Sequence, residues 1–114
     1  MRFEVEVVSE ELLPAMRSIV ARKLRSDYGF KQAEIAERLG VTQPAVSQYM
    51  NRSRADQEIL EKLKEDPQVE LLLDEAASRA AKEQRFTDQL AQVVSTVKDK
   101  GLLKEEFADT EKIL

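Results

Sequence analysis

The side chains best suited to chemistry in this sequence lie in one run, Gln43-Pro44-Ala45-Val46-Ser47-Gln48. The carboxamide of Gln43 can bond N6 and N7 of an adenine together. Ser47 and Gln48 can reach a base edge, and the Ala45 methyl can touch that of a thymine. Other chemistry is sparse. The chain has no cysteine and no histidine. That removes disulfide scaffolds, thiolate or imidazole metal sites, Cys or Ser–His nucleophiles and histidine pH switches. Its 22 acidic residues scatter over solvated faces, with no paired carboxylates, no Gly-rich phosphate loop and no metal-ligand spacing. No catalytic site, metal or cofactor is expected.

Base-edge contacts need a helix presented outward and held at a fixed angle. The stretch "EIAERLGVTQPAVSQYMN", Glu34–Asn51, reads as two short helical patterns joined at Gly40, in a chain with only three glycines. Two helices meeting at a tight turn need a small residue on the inner face of the first and a residue tolerant of positive φ in the turn. Ala36 and Gly40 supply these, four residues apart. Ile35, Leu39, Val41, Val46 and Tyr49, with Met50 at the margin, supply the apolar wedge. Thr42 can cap the next helix by accepting from the Ala45 N–H, and Pro44 falls in its first turn, where a missing N–H does no harm. The spacing therefore predicts a helix-turn-helix, with helices over 31–39 and 43–51. Thr42, Gln43, Pro44, Ala45, Ser47 and Gln48 then lie at the end that enters a major groove, while Val46 and Tyr49 point into the core. The competing reading of Gln43 is a first-turn residue that only meets solvent.

With its Gln-x-x-x-Ala-x-x-x-Gly spacing and Thr-Gln-x-x-Val-Ser core, Gln32–Asn51 resembles the helix-turn-helix of phage-repressor-type (Xre/lambda-like) transcriptional regulators. The wider stretch "LLPAMRSIVARKLRSDYGFKQAEIAERLGVTQPAVSQYMNRSR" is similar to small predicted archaeal transcriptional regulators. The resemblance implies that Gln32 bonds a phosphate and steadies Gln43. It also implies that Asn51, Arg52 and Arg54 lie near phosphates and that the partner is double-stranded DNA.

Charge follows the same division. Residues 12–54 carry eight Lys/Arg against three Asp/Glu, whereas 1–11 carry one against four and 55–114 nine against fifteen, within a net charge of −4. The basic excess sits on the motif-bearing segment, as a phosphate partner requires. Whether Arg22, Lys23, Arg25, Lys31 and Arg38 touch phosphate or only meet solvent is open at this level.

Elsewhere, Met1–Val8 alternates like a strand, which would pair with its counterpart in a second subunit or lie as an arm. Ser9 is a candidate cap, and Pro14 favours a first helix starting near Leu13 and ending at Gly29. Asp56–Glu65 reads as a helix. Asp66-Pro67 opens another, with a break near 84–87, a stop at Gly101 and a fraying tail over 105–114. The apolar stripes of Val69–Ala80 and Leu90–Val97 read as a dimerisation surface, or else as helices folded back onto the same core. The expected architecture is an all-α helix-turn-helix bundle: an arm at 1–11, a DNA-binding domain at 12–66 and a C-terminal helical dimerisation region at 67–114. The expected function is a sequence-specific DNA-binding transcriptional regulator acting as a homodimer. An antitoxin-like or adaptor protein-interaction module is the alternative. No membrane span or signal pattern is present, which makes a cytoplasmic location the expectation.

Overall fold

The computed structural model describes residues 1–51 and 54–112, with the side chains of residues 54 and 55 left aside. Its elements run β1 (Arg2–Phe3), α1 (Glu4–Val7), a π-helical turn (Val8–Leu12), α2 (Leu13–Tyr28), α3 (Gln32–Leu39) and α4 (Gln43–Met50). They continue with α5 (Arg54–Glu65), α6 (Pro67–Ala81), α7 (Thr87–Lys100), α8 (Lys104–Phe107) and β2 (Thr110–Glu111). The fold is all-α.

The N-terminus differs from its alternating pattern. Only Arg2–Phe3 is extended, and the chain turns helical at Glu4. Glu6 accepts from the Phe3 N–H at 2.9 Å and so serves the helix start, while Val7 is fully buried and Phe3 and Val5 stay exposed. Burial at Val7, Leu12 and Met16 follows a helical period, and tertiary packing overrides the β preference of the valines. Ser9 does not cap; its hydroxyl donates to the Glu6 carbonyl at 3.3 Å. Pro14 explains the π turn. It cannot donate to the carbonyl four residues back, and the preceding turn widens so that the Leu13 N–H reaches the Val8 carbonyl.

The strand partner is also not the expected one. β1 pairs in parallel with β2 of the same chain, Arg2 opposite Thr110 and Phe3 opposite Glu111. The tail thus carries β2 against β1, with Thr110 Oγ1 donating to the Phe107 carbonyl at 2.7 Å and Leu103 buried just before it. Residues 113–114 lie outside the described part.

α2 is the central strut. Ala15, Met16, Ile19, Val20 and Leu24 are buried on it, and it packs against α3, α4, α5 and α6. α6 opens as its sequence demands, with Asp66 accepting from the Val69 N–H at 3.0 Å and Pro67 in the first turn. Its stripe, Val69, Leu72, Leu73, Ala76, Ala77 and Ala80, is buried within the chain, as are Val93 and Val97 of α7. These residues join the α2–α4 side chains in one continuous core. The stripes read as a dimer face are therefore already covered by their own chain.

Candidate nucleic-acid interface

α4 is held at both ends by its backbone. At the entry, α3 closes on Gly40 at φ +68°, with the Val41 N–H bonded to the Ala36 carbonyl at 3.0 Å and the Gly40 N–H to Glu37 at 3.3 Å. Thr42 is extended, and its Oγ1 accepts from the Ala45 N–H at 3.2 Å, the cap its sequence called for. Ile35, Ala36, Val46 and Tyr49 are buried, and Leu39, Val41 and Met50 pack beside them.

At the exit, the last four carbonyls of a helix lack internal donors. Here each finds one. The Asn51 backbone N–H reaches Ser47 and Gln48, both at 3.2 Å, and Asn51 Nδ2 adds a bond to Ser47 at 3.0 Å. The Tyr49 carbonyl accepts from the buried Ser18 hydroxyl at 2.7 Å, and Met50 accepts from Arg22 at 3.4 Å.

The outward face carries most of the sequence-selected residues. Thr42, Gln43, Pro44, Gln48 and Asn51 are exposed and Ala45 and Ser47 half-buried, with Gln32 exposed at the start of α3. Positions 44, 47, 48 and 51 follow the i, i+3/i+4 rule and share a face. Among the described residues the carboxamides of Gln32, Gln43 and Gln48 have no hydrogen-bond partner within the chain. No bond joins Gln32 to Gln43, so the steadying contact implied by resemblance is not made here. Arg52 and the Arg54 side chain lie outside the described residues; the Arg54 backbone begins α5.

The structure sorts the cations that the sequence left open. Lys23 reaches across to α6, pairing with Glu70 and with Asp74 at 2.6 Å. Burial works against its charge, but Asp74 and Glu70 outweigh it and hold its ammonium above the ordinary lysine value. Arg38 turns away from α4 and caps the end of α6, donating to the Ala80 carbonyl at 3.2 Å and to that of Ala81. It also lies 4.9 Å over the Phe30 ring. Arg25 and Lys31 are exposed and, with Gln32 and Met50, line one open cleft beside the α3 N-terminus and the α4 exit. Among the described residues neither side chain has an acidic partner, although the Lys31 backbone N–H donates to Glu34 at 3.0 Å. Ser18 at the α4 exit is a side chain that motif reading passes over, and Arg22, left open between phosphate and solvent, joins it there. The available signal was a serine at a helical core position, between Ala15 and Ile19 on one side and Ala21 on the other.

Comparison with protein families matches residues 22–72 to the Helix-turn-helix family. Residues 22–72 are similar to that family, and within them α3, the Gly40 turn and α4 have the helix-turn-helix arrangement. That family is one of DNA-binding regulators, and the matched stretch runs from the second half of α2 into the first turns of α6. It ends inside α6. Comparison with curated proteins and with solved structures gives no match. Among the described residues, no helix is long and apolar enough to cross a membrane.

Proposed function

We propose that this helix-turn-helix protein reads a specific double-stranded DNA sequence through α4 and so regulates transcription. The observation that carries the reading is the outward face of α4. Its first turn presents Gln43, Pro44 and Ala45 beside an end-capped backbone, with Gln48 unpartnered one turn on. A helix entering the major groove meets base edges with its N-terminal residues, and a free carboxamide there matches an adenine edge. Gln32, Arg25 and Lys31 are the accompanying phosphate contacts, together with Asn51, Arg52 and Arg54 beyond the helix end.

The acting unit is a homodimer, because one module reads too few base pairs for useful affinity and two half-sites one helical turn apart supply the rest. With the stripes of α6 and α7 covered internally, the pairing surface lies among outward residues.

Selection of bound sequences from random duplex DNA tests the reading. A recovered motif with two repeated halves supports it. A chain that binds no duplex at moderate salt overturns it and returns the protein-interaction alternative.

A further inference from the structure

We propose that Ser18 and Arg22 of α2 are positioning residues that set the angle at which α4 presents its reading face. This inference rests on the reading of α4 as the DNA-recognition element. α4 has only 8 residues and ends at Asn51 in a conformation (φ −113°, ψ 48°) that is neither helical nor left-handed. It thus lacks the glycine closure that ends α2, α3 and α7. Asn51 satisfies the Ser47 and Gln48 carbonyls, leaving those of Tyr49 and Met50 for donors from elsewhere.

Those donors come from one neighbouring element. Ser18 and Arg22 stand four residues apart on α2, on one helical face. Ser18 is 0% exposed, and its hydroxyl spans 31 positions in sequence to reach Tyr49 at 2.7 Å. The buried Thr96 hydroxyl, by contrast, bonds the Gln92 carbonyl of its own helix and joins no two elements. Apolar contacts at Val46 and Tyr49 fix the depth of α4, but they are non-directional and tolerate rotation. Two directed bonds from a rigid helix to the last two carbonyls remove that freedom. A side chain that bonds a base edge needs such support, since hydrogen bonds weaken steeply with misalignment.

The test measures the affinity of the full chain for its selected duplex and for an unrelated duplex at one salt concentration, and amide exchange along α4 in the free protein. Ser18→Ala and Arg22→Met should each lower the ratio of the two affinities by about tenfold. They should also speed exchange in the last turn of α4. Arg25→Met, which removes the same charge without touching α4, should weaken both duplexes alike and leave the ratio unchanged. An unchanged ratio in Ser18→Ala and Arg22→Met, beside a wild type that discriminates, overturns the proposal. If Ser18→Ala does not fold, the half-exposed Arg22→Met decides alone. A wild type that does not discriminate refutes the recognition reading itself. Amide exchange then decides the positioning claim, and unchanged protection in the variants overturns it.

Discussion

Gly40 sits at φ +68°, with open space where a Cβ would go. Substitution there meets backbone strain and no steric clash, so the cost should follow each residue's tolerance of the left-handed region. Gly40→Asn should cost least, and Gly40→Val about 1–3 kcal/mol. Denaturant unfolding of the two variants checks the order, and equal stability would place the turn elsewhere. Glu83 offers the converse case. It adopts φ +60° without being glycine, and among the described residues its largely exposed side chain makes only a 3.9 Å contact with Arg38. Glu83→Gly should therefore stabilise the chain by up to about 1 kcal/mol, the relieved strain exceeding the added freedom of the unfolded chain. Gln43 should show the opposite profile. Gln43→Ala leaves the midpoint of unfolding unchanged and weakens the selected duplex by about 1–3 kcal/mol relative to unrelated DNA.

Both ends of α6 are tied to the rest of the chain. Its N-terminus is capped by Asp66, whose carboxyl is held below the ordinary value by the Val69 N–H and then by Lys100 at 2.9 Å. A carboxyl depressed by folding contributes stability that is fully present above its unfolded pKa of about 3.9 and is lost as pH falls through the lower folded value. Asp66→Asn keeps a capping oxygen without the titration. The stability gap between wild type and this variant should be flat above pH ~5 and close below pH ~4, as thermal melts across that range would reveal. The other end of α6 is capped by Arg38 of α3. Arg38→Met strands the Ala81 carbonyl, while Ala80 keeps the Glu83 N–H at 3.1 Å, and should cost about 1–3 kcal/mol. It should leave the salt dependence of DNA binding untouched, because this guanidinium faces α6. A reduced salt slope would move Arg38 to the phosphate set. Lys31→Ala, by contrast, should shrink that slope by about one.

Over the whole molecule, the helix-turn-helix and the C-terminal helices are not separable. α2 packs against α6 along its length, Lys23 bridges to Glu70 and Asp74, and the core runs unbroken from Leu12 to Leu103. A chain ending at Glu65 loses α6 and α7 and uncovers Met16, Ile19 and Val20, so it should be unfolded by circular dichroism. A folded, DNA-binding 1–65 fragment would show that the two parts are independent after all. The acidic 55–114 segment then has a double role: it completes the core, and its carboxylates restrain cations of the basic segment. Only part of the positive excess over 12–54 is left for phosphate.

Local chemistry was legible in the sequence. The stop at Gly29, the turn at Gly40, the caps by Thr42 and Asp66, the break before Thr87 and the end at Gly101 each depend on a few neighbouring atoms, and those the residues themselves supply. The exposed set on α4 was legible for the same reason, since helical periodicity and a wedge of apolar residues leave one face outward. Partner choice was not legible. An alternating Arg2–Val7 favours a strand until packing against the π turn and α8 makes a helix bury Val7, and a stripe such as Val69–Ala80 is equally apolar whether its own chain or another covers it. A lysine or arginine carries the same charge in either setting. Only the three-dimensional arrangement sent Lys23 and Arg38 to α6, Ser18 and Arg22 to the end of α4, and left Arg25 and Lys31 at the open cleft. These contacts join residues tens of positions apart, and distance along the chain carries no information about which such groups will meet.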